Sequence, residues 1–177
     1  MSPDPDLRYP VGGFDFRDPL RPEDRPLFLA QLAEAPANLR AAVSGLTDSQ
    51  LDTPYRPGGW TVRQVVHHLA DAHVNWYLRP KLAVTEDVPA ITPYAEKLWA
   101  ELADARTGPI EPSLQMFEGV TGRWCRFLES LAPGDWSRPF THPEWGTLTV
   151  EQTLAGMAWH TRHHTAHITE LRKRMGW

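Results

Sequence analysis

The stretch Thr149–Trp177 reads TVEQTLAGMAWHTRHHTAHITELRKRMGW, and its periodicity decides the fold class. Val150, Leu154, Met157, Thr161, His164, Ile168, Leu171 and Met175 recur at alternating spacings of four and three, the pattern of one buried stripe along a helix. Thr149 with Gln152 forms a capping box that starts this helix at Val150, and Gly176 stops it after Met175. Arg172, Lys173 and Arg174 fall in the last turn, where the negative end of the helix dipole favours cations. At about 100° per residue, His160 projects about 40° from His164, His167 about 60° and His163 about 100°. Two imidazoles one turn apart inside an apolar stripe are desolvated at a cost that a metal ion or a dense hydrogen-bond network must offset. His160 and His164 are therefore candidate ligands, whereas His163 and His167 read as a solvated face.

Working outward, capping residues, prolines and glycines divide the rest of the chain into further helical blocks. After an N-terminal arm over residues 1–21, Pro22–Leu46 reads as a helix that Pro36 should kink or break. Thr61 and Gln64 form a second capping box for a helix through Leu82. Thr92 and Pro93 look like the start of a helical block ending near Arg106, and Glu111 with Pro112 opens another ending near Leu131. Pro133–Thr149 reads as a long loop with a short hairpin around Trp145 and Gly146. The fold class that follows is all-α: one domain over residues 1–177, a four-helix bundle with a long crossover connection after the second long helix. A third ligand must come from another helix, and HHLADAH offers His67, His68 and His73. Measured from Leu69, these lie about 160°, 100° and 40° away, so periodicity excludes His67 and slightly prefers His73 over His68.

Composition narrows the chemistry. Of 177 residues, 41% are hydrophobic and 23% charged, which is ordinary for a globular chain and argues against disorder. Cys125 is the single cysteine, so internal disulfides and cysteine-based zinc sites are excluded, and histidine and carboxylate remain as metal ligands. Burial makes Cys125 an idle thiol in this reading. A net charge of −4 without a long basic run speaks against nucleic acid as a partner. No apolar stretch is long enough to cross a membrane, and MSPDPDLRYPVGG lacks the basic and apolar regions of a signal sequence, so a cytoplasmic location is expected. The pattern HTRHH places Thr161 where a zinc protease carries the glutamate of HExxH, so a general base must come from elsewhere in the chain.

Four stretches, YPVGGF (Tyr9–Phe14), LTDSQLDTPYRPGGWTVRQVVHHLADAH (Leu46–His73), PAITPYAEKLW (Pro89–Trp99) and WHTRHHTAHITELRKRMGW (Trp159–Trp177), resemble the DinB/YfiT-like family. The resemblance is to its YfiT branch of metal-dependent hydrolases and bacillithiol S-transferases. It implies a four-helix bundle, often a homodimer, with one divalent ion, zinc or nickel, on three histidines. The first ligand is the histidine directly before Leu-Ala-Asp, here His68, and the others match His160 and His164. The family usually has glutamine at the position of His167. Three protein nitrogens leave a coordination position open for water or for a thiol. Asn75 and Arg79 follow His68 within about 20° of its direction on the same helix face, which makes them candidate substrate-binding residues. Arg79 suits a carboxylate of bacillithiol, and Trp60 and Trp159 could line a pocket for a hydrophobic electrophile. The functional expectation is transfer of a low-molecular-weight thiol to a small electrophile. Metal-dependent hydrolysis is the alternative, and a non-catalytic metal-stabilised binding bundle is the reading from another class.

Overall fold

Capping chemistry sets where three helices begin. Thr47, Thr61 and Thr149 each accept a bond from the amide of the glutamine three residues on, and that glutamine's side chain bonds back to the threonine amide. These boxes open α2 (Asp48–Leu51), α3 (Val62–Thr85) and α7 (Val150–Met175). Proline in the first turn, where an amide has no intrahelical partner, opens α1 (Arg25–Val43) and α6 (Glu111–Glu129). Gly176 closes α7 in the left-handed conformation at φ 72°. The computed structural model describes residues 6–18 and 20–177, so the first five residues of the expected arm and Pro19 lie outside the described residues.

The long helices α1, α3, α6 and α7 form the bundle. α1 packs against α6 and α7, and so does α3, which puts α1 opposite α3 and α6 opposite α7. The extended connection over residues 86–110 carries two short helices, α4 (Glu96–Trp99) and α5 (Ala103–Thr107), which lie against α3. The expected hairpin is present as β1 (Pro139–His142) and β2 (Gly146–Thr149), antiparallel with Phe140 opposite Leu148. Both of those side chains are buried, and the end of β2 supplies the cap of α7.

One apolar cluster gathers Leu39, Val62, Val66, Leu69, Phe117, Ile168 and Leu171, and another gathers Leu32, Trp76, Trp124, Phe140, Leu154 and Met157. His68 directly precedes Leu69 and stands one turn before Ala72 of α3, while His160 and His164 fall between Met157 and Ile168 of α7. The histidines thus lie on the α3–α7 seam where the two clusters meet. Among the described residues no helix is long and apolar enough to cross a membrane.

Two expectations need correction. Pro36 does not break α1, which runs without interruption from Arg25 to Val43. A proline inside a helix costs about 3 kcal/mol, whereas each large apolar side chain buried contributes about 1.5–3 kcal/mol. Leu32, Leu39 and Val43 are buried on both sides of Pro36, so packing wins. The block Thr92–Arg106 is not one helix, and Thr92 and Pro93 cap nothing. The amide of Ile91 donates to the Thr141 carbonyl at 3.0 Å and that of Thr141 to the Pro89 carbonyl at 2.9 Å. This pairing with β1 holds the chain extended up to Ala95 and lays Tyr94 beside the histidines.

Candidate metal centre

On α7, His160 and His164 are one turn apart with ring centroids at 4.5 Å, and His68 of α3 reaches them at 5.2 and 4.7 Å. Each of the three offers a ring nitrogen, and these atoms all lie within 4.8 Å of one another. The Nε2 atoms of His68 and His160 face each other at 3.2 Å. In a tetrahedral site with metal–nitrogen bonds of about 2.0–2.1 Å, neighbouring nitrogens stand about 3.3 Å apart. The pair therefore already has the spacing of two ligands on one ion. The Tyr94 hydroxyl lies 3.5 Å from Nδ1 of His68, an outer contact of the kind that orients a ligating imidazole. Burial pushes the His68 pKa down to about 3 and those of His160 and His164 well below the usual value, with neighbouring imidazoles adding to the shift. Neutral rings keep the lone pairs that a metal needs. Nδ1 of His160 and of His164 is buried without a hydrogen-bond partner, so a protein network does not take up the polarity of these rings. An all-imidazole set of this kind suits zinc, nickel or copper.

The trio opens on a cavity of about 320 Å³ whose walls include Trp60, Trp76, Arg79, Tyr94 and Trp145. Trp60 packs on His68 at 4.6 Å and on His164 at 6.1 Å between centroids. Arg79 is enclosed and makes no ion pair among the described residues. It is 5% exposed, its guanidinium lies over Trp76 at 4.0 Å, and Nη1 is buried without a partner. The contrast is with Arg63 on the same helix, equally buried but bonded to Asp52, Asp48 and the Gly108 carbonyl. Burial lowers the Arg79 pKa to about 10, so it remains a cation at neutral pH. Asn75 donates its amide to the Asp71 carbonyl and is not part of the cavity wall. Trp159 is likewise turned away: it stacks on Phe14 and His163 and donates to the Gly12 carbonyl.

Other wall residues had no signal in helix periodicity, because a loop and the hairpin supply them. Tyr94 and Glu96 come from the connection after α3, and His142, Glu144 and Trp145 from the hairpin. His142 stacks on Trp145 at 4.0 Å, and its Nδ1 accepts the amides of Glu144 and Trp145, so it shapes the turn. Burial and the charge of Arg79 lower its pKa to about 4. The remaining histidines divide differently from expectation. His67 faces away from the centre and bonds Ser113 Oγ at 2.7 Å. His73 is wholly buried against Phe117 and Trp124 instead of joining the trio. His163 and His167 are not solvated but buried, because the N-terminal arm and Tyr55 cover that face of α7. Cys125 is half-buried with its thiol pKa raised by burial, which fits an idle thiol.

The sequence profile of the DinB superfamily matches residues 31–168. A Bacillus subtilis relative, YfiT, named as a metal-dependent hydrolase, is 49% identical over 172 residues, or 97% of both chains. A Bacillus cereus relative also named as a metal-dependent hydrolase is 48% identical and covers 97% of this chain and 99% of its own. The solved structure of YfiT, described as an unusual four-helix bundle topology, superposes with a TM-score of 0.92 over 97% of this chain and 98% of that one. Family, fold and histidine geometry agree, and the chain belongs to the DinB superfamily, among the metal-dependent enzymes of the YfiT kind.

Proposed function

We propose that this chain transfers a low-molecular-weight thiol, bacillithiol, to small electrophiles, with one zinc or nickel ion held by His68, His160 and His164. An ion bound there would supply Lewis acidity, favouring the anion of a thiol with pKa about 8.5 or of water at about 15.7. Everything else is done by the chain. The observation that carries the reading is Arg79, a buried cation without a carboxylate partner among the described residues, which opens on the same cavity as the three imidazoles. A ligand with both an ionisable thiol and a carboxylate satisfies both ends of that cavity, because the arginine fork pairs with carboxylates in bidentate fashion. Bacillithiol has this composition through its malate group, whereas water has nothing to offer Arg79. Trp60 and Trp145 give the electrophile apolar walls, and Tyr94 steadies the His68 ring.

Metal-dependent hydrolysis is the second reading. It is supported by the names of the relatives and by Glu96 and Glu144 in the cavity wall, carboxylates suited to accept a proton from water. The thiol reading leads because a thiol needs far less assistance to ionise. A purely structural ion would ask for four protein ligands, and the trio offers three beside an open cavity. By kinship and the net charge of −4, the chain is expected to work as a cytoplasmic homodimer without nucleic-acid or membrane partners. Light scattering at micromolar concentration checks the dimer.

The test supplies bacillithiol and a chromogenic electrophile to untagged, metal-loaded protein. Thiol consumption should match product, His164→Ala should abolish turnover, and Arg79→Gln should raise the KM for the thiol by about tenfold, the loss of one charge-assisted contact. Equal rates for wild type and His164→Ala, or product formed without any thiol, would overturn the transferase.

A further inference from the structure

α7 carries a second group of imidazoles that the centre above does not use. His163, His164 and His167 also offer ring nitrogens within 4.8 Å of one another. His163 and His167 are one turn apart with centroids at 4.4 Å, and His164 lies 5.0 and 5.3 Å from them. Residues so spaced can close on a single ion. Nδ1 of each ring is buried and lacks a hydrogen-bond partner.

His167 fixes its own tautomer. Its Nε2 lies 3.3 Å from the Arg8 carbonyl, which can only accept, so the ring proton sits on Nε2 and Nδ1 is a bare lone pair. A carbonyl on the far nitrogen is the outer partner typical of a metal-ligating histidine. Stacking on Tyr55 at 3.9 Å holds this ring, and stacking on Trp159 at 4.5 Å holds that of His163. A small cavity of about 120 Å³ between Asp6, Pro10, Glu170 and Arg174 reaches His167. His67, by contrast, has both ring nitrogens paired, with Ser113 and Gly108. Here Nδ1 of all three has no partner among the described residues, and one ring nitrogen of each lies within 4.8 Å of the others.

We propose that His163, His164 and His167 form a second site for an imidazole-preferring divalent ion, zinc or nickel, beside the first. The two sites share only His164. Filling both requires His164 to ligate through each ring nitrogen and to release its ring proton to solvent, which makes the outer site the weaker one.

The experiment titrates untagged, metal-free protein with zinc chloride by calorimetry and counts bound zinc per chain after desalting. Wild type should bind two equivalents, and His167→Gln, whose amide still reaches the Arg8 carbonyl, should bind one. His68→Ala should also bind one, and circular dichroism checks that every variant is folded. His163→Asn repeats the loss independently. A single equivalent in wild type that His167→Gln leaves intact overturns the second site while the His68 trio stands. A single equivalent kept in His68→Ala and lost in His167→Gln supports the outer site and overturns the inner one. Two equivalents in both variants overturn the proposal.

Discussion

His73 shows what a buried imidazole costs when it has no task in the centre. It is fully enclosed, neither ring nitrogen makes a well-formed hydrogen bond, and burial drives its pKa down to about 3, with the Leu69 carbonyl pulling weakly the other way. A histidine with a lowered folded pKa binds fewer protons folded than unfolded between about 3 and 6.5. Its contribution to stability is complete above pH 6.5 and is lost as pH falls toward 3. One pH unit is worth about 1.4 kcal/mol per such group, so at pH 5 His73 alone takes away about 2 kcal/mol. His73→Leu should therefore leave stability at pH 7 equal or higher and lose about 2 kcal/mol less than wild type between pH 7 and pH 5, measured by urea unfolding. Parallel losses in the two proteins would refute this account of His73. Periodicity had slightly preferred this residue as a ligand because angle on a helix wheel reports burial, not what the burial is against. The His73 ring is buried against Phe117 and Trp124 of α6.

The N-terminal arm is the element that completes the site. Phe16 stacks on Trp145 at 4.7 Å and on Trp76 at 5.1 Å, and Gln152 of α7 donates to the Arg17 carbonyl. Gly156 makes this docking possible, since a Cβ there would fall on the Phe16 ring. In a helix interior, alanine gains about 1 kcal/mol over glycine, while overpacking costs about 1–3 kcal/mol. A surface arm gives way more easily than a core helix, so Gly156→Ala should keep global stability within about 1 kcal/mol of wild type and detach the arm. Trypsin should then cut after Arg8 or Arg17 several-fold faster, and an unchanged cleavage rate would count against the role of Gly156. The same geometry explains what could be read from the sequence. The capping boxes at Thr61 and Thr149 are local, so α3 and α7 were legible, and the i, i+4 pair His160 and His164 with them. The burial of His167 was not, because its cover is the Arg8 carbonyl 159 positions away. The extended run before α4 was equally hidden, because its partner is Thr141.

At the scale of the whole molecule, the trio joins α3 to α7, which together touch both other helices of the bundle. A ligand that binds only the folded chain stabilises it by about 2.7 kcal/mol at one hundred times its Kd. For a chain of this size, 1 kcal/mol moves Tm by about 2–4 °C, so zinc or nickel should raise Tm by about 5–10 °C and a chelator should reverse the gain. That shift alone does not separate a ligand from a packing residue, and His164→Ala does. Without metal, the wild-type protein carries a desolvated imidazole whose Nδ1 has no partner, which costs about 1–3 kcal/mol. Removing the ring relieves this cost, which offsets the loss of its contacts with Trp60 and His68. The chelator-treated variant should therefore melt at or above the chelator-treated wild type, while the metal-loaded wild type melts above both. A histidine that merely packs would instead lower Tm by the same amount with and without chelator, and that result in differential scanning calorimetry would remove His164 from the metal centre.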